Sequence, residues 1–327
     1  MISDVLVAQS FLLSAAARTL SLKSIFVEGE EAAYRRFCRM RWPETDGAPV
    51  CPACGCVDVY DISTRRRFKC AACQRQFSVT SGTLFASRKL SFVDLLAAIC
   101  LVVNASKGTS AVQLSRDLDV QHKTAFVLMH KLREAMAAET RDATLSGEVE
   151  VDGAAFGGHV RPANVREDRV DRRLLGNRSG RRRIVVALRQ RGGRTLTRTF
   201  IREAEGVDFA KQRVAPGSIV SADEGPHWDL LEPSFEMHRI THAEAYSRDG
   251  VHTNHAESYF SRLRRMISGQ HHRVGEQHLG AYAVHAAWLE DHRDQSNGAL
   301  ADRLISRALA APVSRSWKGY WQRRRAA

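Results

Sequence analysis

Long apolar runs are missing from this chain of 327 residues. No stretch approaches the ~18 apolar residues that a membrane-spanning helix needs, so residence in a membrane is not expected. The first twenty residues, MISDVLVAQSFLLSAAARTL, contain an apolar part, but no basic residue precedes it and Asp4 interrupts it. That makes a poor secretory leader. Residues 1 to 22 read instead as a surface or docking helix or as an upstream choice of start, and the cytoplasm is the default compartment. Acidic residues are the second shortage: 36 Asp and Glu stand against 49 Lys and Arg, leaving a formal charge of +13. The balance favours a polyanionic partner, either nucleic acid or an anionic membrane face. Internal repeats are absent, and the one biased tract is rich in Arg. The seven cysteines are not spread as a secreted disulfide framework would be.

Hydrophobic residues at 44% and charged residues at 26% suit a soluble globular chain, and the length suits two or three domains. Five of the cysteines fall between positions 51 and 73. Leu, Ile, Val and Met then recur at helical spacing over residues 91 to 140. From 147 the pattern changes to short β-type runs, Glu148 to Asp152, Ile184 to Leu188, Leu196 to Ile201 and Ser218 to Ala222, with helical stretches from Trp228 and Asn254. Strands followed by alternating strand and helix indicate an α/β domain. The predicted organisation is a helical segment over 1–47, a ribbon over 48–84, a helical region over 85–142, an α/β domain over 147–295 and a basic tail over 296–327.

Cys51-Pro-Ala-Cys54 and Cys70-Ala-Ala-Cys73 are separated by fifteen residues. Two short Cys-x-x-Cys turns at that distance aim four thiolates at one structural Zn²⁺, which replaces a core too small to fold alone. Val57, Val59, Tyr60, Phe68, Phe77 and Val79 supply strand-like residues around them. A redox dithiol needs only one such turn. Cys56 is a substitute ligand, whereas Cys38 and Cys100 sit in apolar helical settings as packing residues.

Residues 109 to 137 hold a helix capped by Thr109 or Ser110, a break at Asp119-Val120, and a second helix from about His122. A helix-turn-helix of this kind places a recognition helix in the major groove. Gln121, His122 and Lys123 would meet bases and phosphates at its start, with Phe126, Met129, Leu132 and Met136 as the buried stripe. A plain helical hairpin is the competing reading.

In Gly147-Glu-Val-Glu-Val-Asp152, alternation puts Val149 and Val151 on one face and Glu148, Glu150 and Asp152 on the other. Such a strand either ends in a metal-binding carboxylate or shows water an acidic face. Ser218-Ile-Val-Ser-Ala-Asp-Glu-Gly225 delivers Asp223 at the end of a second run. In Asn254-His-Ala-Glu-Ser-Tyr-Phe-Ser-Arg-Leu-Arg264, the positions Phe260, Leu263 and Ile267 mark a buried stripe. Glu257 sits roughly 60° from Phe260 at its edge, and Arg264 returns to the same side about 10 Å along. Three carboxylates from separate segments make a hard oxygen site for Mg²⁺ or Mn²⁺. Two such ions suit in-line displacement at a phosphodiester, and a neighbouring cation suits a phosphate clamp.

These residues resemble the insertion-sequence transposases of the DDE superfamily, and within it the bacterial subgroup with an N-terminal zinc ribbon and helix-turn-helix. The resemblance spans roughly residues 25 to 295. It is carried by Arg41-Trp42-Pro43 ahead of the CPACG sequence, Phe77-Ser-Val-Thr-Ser-Gly-Thr83 after the ribbon, Glu150-Val-Asp152 with Gly157-Gly158, and Asn254-His-Ala-Glu-Ser-Tyr-Phe260 through Arg264. It implies a ribonuclease-H-like, retroviral-integrase-like α/β catalytic domain behind the small zinc ribbon and all-α helix-turn-helix. It also implies Asp152, Asp223 and Glu257 as the metal triad and Arg264 as the basic partner of the third acid. Relatives more often carry Lys at the latter position, and some use Asn as the third ligand, which keeps Asn254 beside Glu257 as a candidate. The implied activity is binding of terminal inverted repeats, cleavage at the ends and joining to target DNA by a homo-oligomer in the cytoplasm, associated with the nucleoid. A catalytically inactive or domesticated DNA-binding regulator and a nuclease without strand transfer are the rivals.

His252, His255, His271, His272 and His278 crowd near Glu257 in the sequence and offer a second zinc-site reading, against the commoner one of separate surface histidines. Residues 161 to 194 hold twelve Arg against Glu167, Asp168 and Asp171. With DNA implied, this segment, and Arg181, Arg182 and Arg183 in particular, is expected to contact phosphates. The tail from Trp317 to Arg325 mixes aromatics and cations, either for DNA or as a packed helix with a basic end.

Overall fold

The computed structural model describes residues 11–158, 162–171, 180–241, 247 and 252–323. The chain divides into two compact units, one of residues 1–139 with 292–327 and the other of residues 140–291. No helix among the described residues is long and apolar enough to cross a membrane.

The first unit is a helical body carrying a small sheet. Helix α1, Leu22–Arg41, starts at the cap Ser21 and is interrupted at Gly29, whose φ of 76° only glycine adopts cheaply. The expectation of a helix over residues 1 to 22 is not met where it can be seen: Phe11–Leu13 and Ala15–Ala17 are single 3₁₀ turns, and the long helix begins at Leu22. Helix α2, Phe92–Asn104, is capped by Ser91, which accepts from the Asp94 N–H at 3.0 Å. Phe37 of α1 packs against Phe85 and Phe92 at 5.9 and 5.2 Å between ring centres. Three antiparallel strands follow α1 in the chain, β1 Val59–Ile62, β2 Arg67–Cys70 and β3 Gln76–Phe77. Trp42, at the end of α1, meets Phe68 and Phe77 edge-on, so the sheet shares an aromatic core with the helices.

Helix α3, Ala111–Asp117, is capped by Ser110, which accepts from the Gln113 N–H at 3.0 Å. Asp119, in the left-handed region at φ 50°, turns the chain into helix α4, His122–Glu139. The break therefore falls where the sequence places it. Met129, Leu132 and Met136 are buried as expected. Phe126 is only half-buried, because its cover is the C-terminal segment and not the body of the helices. There Trp317 stacks on His130 at 4.1 Å, and the short helix α9, Tyr320–Arg323, brings Tyr320 and Trp321 to within 6 Å of the Phe126 ring. Helix α8, Asn297–Ala310, closes the unit.

The second unit is a five-stranded sheet of β4 Glu148–Phe156, β5 Arg183–Gln190, β6 Thr195–Phe200, β7 Ile219–Ala222 and β8 Glu236–Arg239. The order is β6-β5-β4-β7-β8, antiparallel among the first three and parallel from β4 to β7 to β8. That mixed topology is compatible with a ribonuclease-H-like fold. Val149, Val151, Val186, Leu188, Val220 and Ala222 face one core together with Phe209 of helix α5, Gly206–Arg213, and Trp228. Ala154, Phe156, Val185 and Ala187 face the other, under helices α6, Asn254–Arg265, and α7, Leu279–Asp291. Burial on both faces explains why β5 reads as one continuous apolar run. Two elements of this unit were not expected from the sequence, α5 and β8, and in the first unit the buried helix α8 stands where a basic tail was expected. The helical stretch expected from Trp228 is a 3₁₀ segment, Pro226–Leu231.

Candidate active site and zinc centre

The two cysteine turns close on one point. Cys51 Sγ lies 3.6 Å from Cys73 Sγ, and Cys54 Sγ lies 3.6 Å from Cys70 Sγ. All four sulfurs fall within 4.8 Å of one another. Thiolates about 2.3 Å from a tetrahedral Zn²⁺ stand about 3.8 Å apart, so the four residues fit that ion. The Cys73 N–H points at Cys70 Sγ from 3.4 Å, and this bond is the main reason the Cys70 thiol titrates low, at about 6. Cys56 is turned away, with its sulfur on the Asp58 carbonyl. Cys38 and Cys100 are buried, as packing residues should be.

The three expected acids converge in the second unit. Strands β4 and β7 pair in parallel up to Val151 and Ala222, and the next residue on each is Asp152 and Asp223. Both therefore leave the sheet side by side on the face where α6 packs. Asp152 does not end its strand, as the sequence suggests; β4 runs four residues further against β5. What opens the site is that β7 stops. Glu257 stands in the first turn of α6, close enough to act on Asp152 electrostatically. Burial first, and then the charge of Asp223, push the Asp152 carboxyl up to about 7 against the pull of the Gly153 N–H, with Glu203 and Glu257 adding to the rise.

Glu203 was not among the expected residues. It lies in a 3₁₀ turn, Glu203–Glu205, just past β6, and its carboxylate fills the space where a side chain at Gly153 would stand: a Cβ there would meet Oε1 at 2.2 Å. Burial and the charge of Asp223 push Glu203 up to about 7 as well. His227 Nε2 lies 4.0 Å from the same Oε1, and burial holds its ring toward the neutral form. Gly225 lets this turn close, since a Cβ would lie 2.7 Å from His227 and 3.1 Å from Asp223, whose Oδ1 accepts from the Gly225 N–H. The donor set around Asp152 is carboxylate oxygen from several elements, which suits a hard divalent cation. Among the described residues the tighter groups of ligand atoms are the four cysteines and Glu150 with His252 and His255.

Glu150 shares the acidic face of β4 but is fully buried, contrary to a solvated acidic edge. Its Oε2 accepts from the backbone N–H groups of His255 and Ala256 at 2.8 and 3.0 Å, capping α6 from another element. Its Oε1 meets His255 Nδ1 at 2.8 Å, His252 Nδ1 at 3.0 Å and Arg191 Nε at 3.1 Å. A guanidinium already neutralises this carboxylate, so the cluster reads as a structural joint.

Two family models match the chain: the ISXO2-like transposase domain over residues 144–291 and the transposase zinc-ribbon domain over residues 28–76. The chain belongs to the insertion-sequence transposases with a zinc ribbon. No curated protein and no solved structure matches it.

Within this transposase, the remaining expected residues are distributed as follows. Gln121, His122 and Lys123 are exposed at the start of α4. Asn254 is exposed at the first position of α6, and Arg264 lies near the rings of Phe156 and Phe260. Arg264 also lines a cavity of about 840 Å³ together with Gly157, Gly158, Arg181, His272 and Arg273. Arg182 packs against Gly158, while Arg183 pairs with Glu276 at 2.6 Å. The Arg-rich tract is thus not one loop: Arg183 to Arg189 lie in β5, with buried Arg189 bonded to Asp291 and Arg191 bonded to Glu148. Arg161, Arg172, Arg173 and Arg178 lie outside the described residues. The five histidines do not gather: His252 and His255 join Glu150, His271 packs on Tyr282, His272 lines the cavity, and His278 ends the 3₁₀ segment Glu276–His278. Glu203 could have been found by the rule that singled out Asp223, an acid just past a β-type run. His227 gives no such signal.

Proposed function

We propose that this chain is an active DDE transposase that binds the terminal inverted repeats of its element, cleaves DNA at the ends and joins them to target DNA. The observation that carries the reading is the side-by-side exit of Asp152 and Asp223 beneath the first turn of α6, which brings Glu257 to the same place. The strand order and the position of these acids support a ribonuclease-H-like fold for the second unit.

Asp152, Asp223 and Glu257 would hold two Mg²⁺ or Mn²⁺ ions, which when bound supply Lewis acidity on both sides of a phosphodiester. Mutual repulsion among the carboxylates holds a binding site that a divalent cation relieves. Arg264 and Arg181 line one cavity and suit the phosphates flanking the scissile bond. Hydrolysis breaks the bond from phosphorus to the 3′ oxygen and leaves a 3′-OH. That hydroxyl then attacks a target phosphodiester, and one P–O bond forms as another breaks. The cysteine-bound zinc stabilises the ribbon, and Gln121, His122 and Lys123 open the recognition helix of a helix-turn-helix. Holding two ends together calls for a homo-oligomer on DNA.

The test is cleavage and joining of a labelled duplex carrying the element's terminal repeat, with Mg²⁺, by the wild type beside Asp152→Ala, Asp223→Ala, Glu257→Ala and Asn254→Ala. Products that vanish in the three acid variants, with DNA binding retained, support the enzyme and its triad. Equal loss in Asn254→Ala with full activity in Glu257→Ala would move the third ligand. Binding without cleavage in Mg²⁺ or Mn²⁺ would leave the regulator.

A further inference from the structure

A cavity of about 400 Å³ opens in the first unit, between the loop after Phe85, the start of α4 and the C-terminal aromatic segment. Its size falls in the range of ligand pockets, about 300–1,000 Å³. Lys89, Lys123 and Lys131 reach into its lining, and no acid among the described residues lines it. The facing wall is aromatic, formed by Trp317, Tyr320 and Trp321. The indole N–H of Trp321 is buried and meets no acceptor among the described residues, a donor that a ligand carbonyl, ring nitrogen or phosphate oxygen would satisfy. Burial also lowers the pKa of Lys131, a cost that an anion beside it would offset.

We propose that this cavity receives one unpaired nucleotide of a DNA strand, its base against Trp321 and Tyr320 and its phosphate among the lysines. The charge selects an anion. The flat walls select its other half, because bases in a duplex hide their faces in the stack and only an unstacked base presents one. The site lies next to Gln121 and Lys123 at the start of α4, so DNA held there passes its mouth. The inference rests on the reading of the chain as a DNA-binding enzyme, and adds to it a place for a melted or extruded nucleotide.

The experiment uses the full chain and three probes: an oligothymidine of about twelve nucleotides, a fully paired duplex of the same length, and inorganic polyphosphate of matched charge. Binding is followed by anisotropy of labelled DNA and by quenching of tryptophan fluorescence. The single strand should quench the fluorescence and bind in preference to polyphosphate. Trp321→Leu should weaken the single strand about tenfold and the duplex by less than about twofold, and Trp321→Phe, which keeps the stacking face and loses only the N–H, should recover most of the single-strand binding. Trp321→Phe also guards against a variant that merely misfolds. Equal losses for duplex and single strand, or competition by polyphosphate as strong as by the single strand, would overturn the inference. If the duplex binds but the single strand neither quenches nor is weakened by Trp321→Leu, this inference fails alone. If neither DNA binds, the reading of the chain as a DNA enzyme fails with it.

Discussion

Glu150 and His255 form a joint between the strand and the helix that carry two of the candidate acids. Both the backbone N–H and the ring Nδ1 of His255 lie 2.8 Å from the Glu150 carboxylate. Glu150 precedes Asp152 by two residues on β4, and His255 precedes Glu257 by two on α6. The joint therefore fixes the separation of Asp152 and Glu257, although it holds neither directly.

Glu150→Ala should destabilise the protein strongly, because it leaves Arg191 and the first N–H groups of α6 without their buried acceptor. Removing one partner of such a network costs about 3–5 kcal/mol. Glu150→Gln keeps the volume and part of the bonding, so it should fold. It should still lose about 100-fold in strand cleavage, since displacement of a positioned group by about 1 Å has that effect. Thermal melting and cleavage rates separate the two variants, and a Glu150→Gln protein that cleaves normally would remove Glu150 from this role.

The carboxyl groups of Asp152 and Glu203, both raised to about 7, give a stability profile of definite sign. Unfolded, both titrate near 4. Between about pH 4 and 7 the folded state binds more protons than the unfolded one, so metal-free protein loses stability as pH rises through that window. Above about 7 the loss is complete. At pH 8, Asp152→Asn or Glu203→Gln should therefore raise the melting temperature of the second unit, without Mg²⁺ or Mn²⁺, by a few degrees, roughly 2–4 °C per kcal/mol for a unit of about 150 residues. Mg²⁺ should stabilise the wild type at that pH and do much less for Asp152→Asn. A melting temperature that rises steadily from pH 4 to 8, with zinc retained and no Mg²⁺ or Mn²⁺ added, would contradict the arrangement.

Zinc should prove structural. One ion per chain is expected by elemental analysis, lost in Cys70→Ser and kept in Cys56→Ser, whose sulfur faces the Asp58 carbonyl. Without the ion, Phe68 and Phe77 have only a small sheet to hold them against Trp42, so chelation should shift the fluorescence of Trp42 and expose the ribbon to protease.

The sequence made the ribbon and the acids legible for different reasons. Cysteine spacing encodes its geometry locally, whereas Asp152 and Asp223 became readable because each sits at a turn-bounded β run. The parallel register that joins them lies in the contact between Val151 and Ala222, with seventy residues between them, and no local pattern announces it. Glu150 looked like an acid on a wet strand because its neutralising partners come from elsewhere in the chain, at Arg191, His252 and His255. Helix α5 escaped notice because it is only eight residues long, and β8 because its four residues, Glu-Met-His-Arg, show no apolar alternation.

Gly153 and Glu203 offer the sharpest test of the fourth carboxylate. A methyl group at 153 would stand 2.2 Å from Glu203 Oε1 and 2.6 Å from its Cδ. The obstacle is the far end of a flexible side chain, and Gly153 is ordinary strand backbone, so Gly153→Ala should fold with little loss. Alanine even regains roughly 0.5–1 kcal/mol that glycine forfeits inside a strand. The cost falls on Glu203, which must swing away from Asp152 and Asp223. Gly153→Ala and Glu203→Gln should each lower Mg²⁺-dependent cleavage about tenfold. The double variant should be no worse than either, because residues acting through one contact are not additive. Multiplied losses in the double variant would mean that Gly153→Ala acts by a route other than displacing Glu203.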